Sequence, residues 1–570
     1  MKIKKLKVFI VLLIVSILVF AAGSDAATRK ERRQLRQKSD EVLTILKSKR
    51  EQGENVSEEV KEFQKARAAI RKRNISQADK ILDDLLEKLK STSSVKKSKT
   101  GRDVTGEAPR KTVSLDIDLK KGYLTSLSTD YAKGRDVKKL EDIVKVLPVE
   151  SRDGKLAFSI SSQPVFITTK KPVFPLSRIS PSEESPFGFH PAKVEDVADP
   201  YQYAGDIGVS WHRPKRYFSW IAVQKDIDQK KYDWSYYDNE IKQVSGLNLL
   251  YNIVVSPPLT GKQDRASKRA KRAGLDLEKF IKKNSYLPTD KEKYMNFVTA
   301  CVERYDGDGI DDMPGLKKPI KYWQVGNEPH PRVKDFAEFV KITSIAIKKA
   351  DPGAKVVIGG ALRAVMEDTS KFDKTFLKIL EQLDGQYIDV IDFHWGGDAQ
   401  GNYRAYKGVY DHLRVVLDKN GFSKNMSVWI TEMSTYSGDP LKKSFMPNDP
   451  AYQTEQMQAG DMIKRYVYGT SIGVEKIFWA WGMIEGFKND DTYFDHTGFI
   501  YDGKFSHDEG RNVKKLAYYA YKLMTAMLEG SDWKNVRTMI NGKDNIYLFE
   551  FTNKGSGEKV YVVWWDYFDE

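Results

Sequence analysis

The chain has 570 residues, 40% of them hydrophobic and 12% aromatic, which supplies a large core and excludes a wholly disordered polypeptide. One cysteine, Cys301, excludes an intramolecular disulfide framework and any cysteine-ligated zinc or iron–sulfur centre, and the seven histidines form no HExxH pair. The net charge of +15 belongs to one end: residues 1–111 carry 28 Lys+Arg against 15 Asp+Glu and the rest carry 66 against 64, so no nucleic-acid enzyme is indicated.

At the start, Lys2, Lys4, Lys5 and Lys7 precede an apolar run from Val8 to Ala22, then the small residues Gly23, Ser24 and Ala26. A positive segment, a 15-residue apolar run and a small-residue zone are expected of a secretory signal peptide over 1–26. The run is short for a membrane span, which needs roughly 20 residues; an uncleaved N-terminal anchor is the alternative. The protein is therefore expected outside the cytoplasm, in the envelope, periplasm or medium.

Residues 27–90 are rich in Lys, Arg, Glu, Gln, Leu and Ala and lack proline. Ala78, Leu82, Leu85 and Leu89 recur at helical spacing, Ser76 with Asp79 reads as a capping box, and Leu35, Val42, Leu46, Val60, Phe63 and Ile70 mark earlier helices. Two or three short helices are expected, as a spacer or docking segment. Residues 91–111, rich in Ser, Thr, Lys and Gly, read as a linker.

Over 112–184 the alternation in Thr112–Leu119 and the segment Lys155–Thr168 indicate accessory strands of a β-sandwich-like region. From Ser185 short apolar strands alternate with helical stretches. The strands are Phe187–His190, Ile207–Arg213, Leu247–Val255, Tyr322–Gly326, Val356–Gly359, Val390–His394, Ser427–Thr431 and Lys476–Trp481. Eight such units over 185–528 fit an α/β fold, a (β/α)₈ TIM barrel. A doubly wound sheet fits less well, because no GxGxxG or GxxxxGK[ST] loop follows any strand. Three strands within 529–570 are too few for a sandwich of their own and are expected to pair with those before Ser185.

Two segments carry the chemistry. Tyr322–Pro329 (YWQVGNEP) ends strand four in Asn327-Glu328, and Val428–Met433 (VWITEM) ends strand seven in Glu432. Carboxylates at the C-terminal ends of two barrel strands project into one mouth, and acetal hydrolysis needs two: one to protonate the leaving oxygen, one to attack the anomeric carbon.

YWQVGNEP with WITEMS resembles clan A of the glycoside hydrolases, closest to family 39, the β-xylosidase-like enzymes, and their relatives. The resemblance covers the barrel and implies a retaining mechanism, with Glu328 as acid/base, Glu432 as nucleophile and Asn327 on the sugar 2-hydroxyl. It further implies that Arg213 orients the nucleophile, that His394 contacts it or the sugar, and that Trp481, rather than Trp479, floors the sugar site. Trp395 and Tyr436, with Trp220, are weaker sugar-site candidates. A tyrosine that often follows the strand-six histidine in this clan is replaced here by Trp395, so its contact to the nucleophile falls to Tyr436 or is missing. The partner implied is an oligo- or polysaccharide with β linkages, with no cofactor and no metal. Two other readings stay open: a catalytically silent carbohydrate-binding barrel, and an envelope-associated scaffold centred on the helical arm.

Three other signals lead elsewhere. Asp306–Asp312 (DGDGIDD) opens like a calcium loop, but Ile310 and Lys317 stand at the fifth and twelfth positions, where oxygen ligands belong. Lys262–Arg272 reads as a solvated basic loop that could attract an acidic glycan, and Cys301 as a small buried apolar residue.

Overall fold

The computed structural model describes residues 75–91 and 109–567, apart from 129–138, 175–179, 227–230, 245, 255–285, 289, 330–334, 442–451 and 505–507, together with scattered positions between 38 and 69. The expected signal peptide, most of the linker and the basic loop 262–272 lie outside the described residues. The chain forms two compact units, Met1–Gly106 and Glu107–Glu570. Among the described residues no helix is long and apolar enough to cross a membrane.

In the first unit a helix spans Ile75–Ser91. Ala78, Leu82, Leu85 and Leu89 form its buried stripe, against Val42, Phe63, Ala66 and Ala69. Ser76 lies inside this helix and so is not its N-cap. Asp79 does not close a capping box but takes an ion pair, with Asp83, from Lys38 at 2.8 and 2.7 Å.

The second unit is built on a closed parallel barrel. Its strands are β1 (Phe187–His190), β2 (Trp211–His212), β3 (Asn248–Val254), β4 (Tyr322–Val325), β5 (Lys355–Ile358), β6 (Val390–Gly396), β7 (Ser427–Ser434) and β8 (Lys476–Ala480). Each pairs in parallel with the next, and β8 returns to β1 through Ile477–Phe187 and Ala480–His190. Helices such as Lys291–Glu303, Phe336–Ala350, Tyr406–Lys419 and Glu455–Ser471 follow the strands. The expected (β/α)₈ barrel is thus the observed one.

Alternation along the strands sorts the side chains. Trp323, Val325, Phe393, Trp395, Ile430, Met433 and Trp479 face outward, into the core shared with the helices. Trp211, Leu250, Val357, Val390, Trp429 and Phe478 fill the bottom of the barrel. Gly188 of β1 leaves room for this layer: a Cβ there would lie 2.7 Å from the Phe478 ring. Water is thereby kept from the floor of the site above.

A six-stranded antiparallel sheet accompanies the barrel. In it Lys559–Trp565 pairs with Val165–Thr168 through Val560–Thr168 and Val563–Val165, so strands from both sides of the barrel segment share one sheet. Tyr547, Phe549, Phe551, Val562 and Trp564 face the main core, while Ile546, Leu548, Tyr561, Val563 and Trp565 face a second one. Asp566 fastens this sheet to the barrel helices: it takes 2.7 Å from Lys464 Nζ and 2.5 Å from the Tyr403 hydroxyl, which itself accepts from Trp564 Nε1. Lys464 and Asp566 are 3% and 0% exposed. Removing one partner of a buried pair typically costs about 3–5 kcal/mol. Asp566→Ala is therefore expected to lower unfolding stability by that order in urea melts; a change under about 1 kcal/mol would show that the tether contributes little.

Candidate active site

Above the apolar floor lies a polar layer, built from the next inward positions of the same strands: Arg213, Asn252, Gln324, Asp392 and Thr431, all buried. Arg213, which follows β2, is its hub. Its Nε donates to Gln324 Oε1 at 2.8 Å and Asn252 Oδ1 at 3.3 Å, Nη1 to Glu432 Oε1 at 2.7 Å, and Nη2 to Asn327 Oδ1 at 2.7 Å. Gln324 Nε2 and Thr431 Oγ1 both donate to Asp392 Oδ2 at 2.5 Å. A guanidinium with no exposed surface is held here by four acceptors, which satisfies the rule that buried charges must be paired and hydrogen-bonded.

Glu432 reaches this site through an irregularity in β7. His394 pairs with Glu432 and Phe393 with Ile430, so β7 carries one extra residue, Thr431, at that point. Strict alternation from Trp429 would turn Glu432 outward. The bulge lets Thr431 and Glu432 both face the barrel interior, a use of bulges common beside functional sites.

Glu328 arrives by a different route. Strand β4 ends at Val325, earlier than the sequence pattern indicated, and the chain turns through Gly326 (φ 72°) and Glu328 (φ 46°). The left-handed backbone of Glu328 is unusual for a residue with a long side chain. A Cβ on Gly326 would lie 2.8 Å from the Phe336 ring, so the turn also needs a glycine. The two residues after β5 contribute space: Cβ atoms would fall 2.6 Å from Val325 O at Gly359 and 2.4 Å from His394 Nε2 at Gly360.

The two carboxylates meet. Oxygens of Glu328 and Glu432 and a ring nitrogen of His394 all lie within 4.8 Å of one another. His394 Nδ1 is 2.9 Å from Glu328 Oε1 and 3.5 Å from Glu432 Oε2. Trp481 Nε1 donates to Glu432 Oε2 at 2.9 Å, and His190 Nε2 lies 3.6 Å from Glu432 Oε1. The surroundings differ sharply: the Glu432 side chain is 6% exposed and that of Glu328 31%.

Electrostatics follow from this packing. Burial by itself pushes the Glu432 carboxyl up, but the charge of His394, the Arg213 guanidinium and its hydrogen bond outweigh it and hold the group down at about 2. Burial and the guanidinium keep His190 neutral, at about 3, so Arg213 is the fixed cation facing Glu432. His394 is depressed by burial, yet its two glutamate neighbours raise it above the ordinary histidine value. Asp392, one layer down, is raised to about 6, chiefly by burial.

Of the residues singled out in the sequence, the structure brings Glu328, Glu432, Asn327, Arg213, His394 and Trp481 together. Trp481 is reached by an unexpected path. Residues two apart on a strand share a face, which would send it outward with Trp479, whose Nε1 bonds Thr497 O. But β8 ends at Ala480, the peptide joining it to Trp481 is cis, and Trp481 turns inward.

Trp395 does not join the site: it alternates outward from His394, is wholly buried in the main core, and gives its Nε1 to Asn402. Trp220 is likewise a core residue, bonded to Gln224 and stacked on Phe297. Tyr436 is buried against Tyr493, whose ring backs Trp481 at 5.7 Å. The indole of Trp481 supplies the hydrogen bond to Glu432 for which Tyr436 was a candidate.

Gln324, Asn252, Asp392, Thr431 and His190 were not singled out from sequence. Each is a polar residue within or ending an apolar strand, an odd position unless it faces a polar interior, and that is the available signal.

The Glu328, His394 and Glu432 donors stand close enough to share a small cation, as do Glu303, Asp306 and Asp308. In the second group Asp306 and Asp308 already accept backbone N–H groups of Asp308 and Ile310, in a turn-forming loop. Cys301 is buried, as expected.

No protein-family model matches this chain, and no curated protein sequence does. Among solved structures the chain is similar to a glucosidase from Croceicoccus marinus, at 15% identity over 66% of this chain and 76% of that one, with a TM-score of 0.43. It is similar to a family 39 glycoside hydrolase from the gut symbiont Bacteroides cellulosilyticus WH2, at 15% identity over 80% and 87%, TM-score 0.47. A monomeric β-xylosidase from Caulobacter crescentus CB15 matches at 15% identity over 65% and 73%, TM-score 0.41. Likenesses this distant assign no chemistry to this chain, and the functional case rests on its own carboxylates.

Proposed function

We propose that this protein is an exported retaining glycosidase acting on β-linked glycans, with Glu432 as nucleophile and Glu328 as general acid/base. One observation carries the reading: a carboxylate held ionised by a buried guanidinium lies with an oxygen within 4.8 Å of a second, more exposed carboxyl group. Retaining enzymes keep their two carboxyl groups about 5–5.5 Å apart, whereas inverting enzymes need about 6.5–9.5 Å to admit a water between them.

The roles follow from the two environments. Glu432 is tied by Arg213 and Trp481 and held at about 2, so it enters the reaction as an anion with a fixed direction of attack. Glu328 sits nearer solvent, where a leaving oxygen departs and a water arrives. In the first step Glu432 Oε attacks the anomeric carbon while the Glu328 carboxyl gives its proton to the leaving oxygen. In the second, Glu328 as carboxylate takes a proton from water, which attacks the same carbon and frees Glu432. His394 Nδ1, bonded to Glu328 and close to Glu432, holds the two carboxyl groups in register. Arg213 ties the oxygen of the Asn327 amide, which leaves its Nδ2 hydrogens for an acceptor such as the sugar 2-hydroxyl. The apolar floor excludes water and makes these fixed charges count for more.

The reaction's stereochemistry is the test. On a panel of aryl β-xyloside, glucoside, galactoside, mannoside and α-arabinofuranoside, proton NMR is expected to show first-formed sugar with the anomeric configuration of the substrate. An inverted first product would reject the double displacement, and no cleavage of this panel or of the aryl uronides would favour a binding barrel.

A further inference from the structure

Two exposed lysines lie on the loops that follow β2 and β8 near Glu432. Lys215 lies in the loop after β2, two residues beyond Arg213, and Lys488 in the loop after β8. Both ammonium groups rest on one ring: Lys215 Nζ is 4.0 Å from the Phe487 centroid and Lys488 Nζ is 5.3 Å from it. Lys488 also lies 5.3 Å from the Phe494 ring, which packs 4.3 Å from Trp481. Phe487 in turn approaches His190 at 6.3 Å, and His190 is the neighbour of Glu432. The cations therefore stand one side-chain layer out from the nucleophile, where the ends of β1, β2 and β8 meet.

Their placement is built in. Lys215 donates to the Phe487 carbonyl at 3.1 Å. The segment carrying Lys488 is pinned by Asp495, a fully buried carboxylate that accepts the N–H groups of Lys488, Asn489, Asp490 and Asp491 at 2.5, 3.0, 2.6 and 2.9 Å. That carboxylate is committed to backbone amides and not to either ammonium. The nearby Lys193 and Lys504 each have a carboxylate partner, Glu195 and Asp502. Among the described residues no such ion pair joins Lys215 or Lys488. Burial and the charge of Lys488 both work against protonation of Lys215, while the charges of Asp495 and Glu195 favour it to a smaller extent. Two like charges on one aromatic ring repel each other, and an anion between them would relieve the repulsion.

We infer that the cleft takes a hexuronide, with its anomeric carbon at Glu432 and its C5 carboxylate between Lys215 and Lys488. The inference rests on the glycosidase reading above and adds the substrate class to it. Hydrogen bonds to charged groups are the stronger kind, and losing one typically weakens binding on the order of tenfold or more.

The test compares 4-nitrophenyl β-D-glucuronide and β-D-galacturonide with the corresponding neutral hexosides. Wild-type protein is expected to favour a uronide by at least about tenfold in kcat/KM, with a preference that shrinks as salt rises. Lys215→Met and Lys488→Met are each expected to cut the uronide-to-hexoside ratio about tenfold, and Lys→Arg at either position to keep most of it. Equal rates on acidic and neutral sugars, or methionine variants with an unchanged ratio, would overturn the inference while leaving the glycosidase reading intact. A binding measurement separates the two if nothing is cleaved: tryptophan fluorescence should show glucuronate binding Glu432→Gln protein at least tenfold more tightly than glucose. Equal affinities there would reject the acidic-sugar site by itself.

Discussion

Glu432→Gln should lower kcat/KM on an aryl β-glycoside by on the order of 10⁵-fold, the scale on which an enzyme loses rate when its nucleophile is removed. The amide keeps the shape of the side chain and its bond to Arg213 but has no anionic oxygen to attack the anomeric carbon. Glu432 is held at about 2, so in wild-type protein this anion persists far below the ordinary carboxyl range. A carboxyl depressed in this way adds stability that is present above its unfolded-state value and is lost as pH falls toward about 2. The variant gives up that contribution and leaves Arg213 with only neutral hydrogen-bond partners, so its stability should fall by about 3–5 kcal/mol. Circular dichroism and sugar binding separate the two effects. A folded variant that still binds sugar but does not hydrolyse it supports a chemical role. Residual activity above about one per cent of wild type would remove Glu432 from that role.

The eight strands were readable because each is a short apolar run bounded by helix-forming sequence, and their closure into a barrel follows from that count. Strand ends were less readable. The pattern over Tyr322–Gly326 gave no sign that β4 stops at Val325 and turns through left-handed residues, because that turn is set by Phe336 packing against Gly326. Glu432 was identified from its place at a strand end, yet alternation from Trp429 would have put it on the wrong face. Only the bulge at Thr431, formed against β6, turns it inward.

Trp395 shows the same limit from the other side. Its neighbour His394 faces the carboxylates, so Trp395 faces the helices and offers no sugar platform, although its place beside a site residue suggests one. The polar layer beneath the site escaped sequence reading altogether. Gln324 and Asp392 matter through partners 39 to 111 positions away, and no local pattern records those pairings.

Glu328→Ala should behave differently from any Glu432 variant, and the difference assigns the two roles. A substrate with a poor leaving group needs the Glu328 proton, so its kcat/KM should fall by about 10²–10⁴-fold. A 2,4-dinitrophenyl glycoside leaves without help, so glycosylation of Glu432 should stay fast. The covalent intermediate then accumulates, because no base remains to activate water, and kcat falls together with KM. Azide needs no base and fits the space left by the missing carboxylate. It should restore turnover and give a glycosyl azide of the same anomeric configuration as the substrate, since two displacements have occurred at carbon. In Glu432→Ala the azide would replace the nucleophile itself, and a single displacement would give the inverted azide. His394 lies against both carboxylates, at 2.9 and 3.5 Å, so rate loss alone cannot tell direct chemistry from disturbance of this histidine. The configuration of the azide product can. An inverted azide from Glu328→Ala would exchange the two assignments, and no rescue in either variant would remove the pair from the reaction.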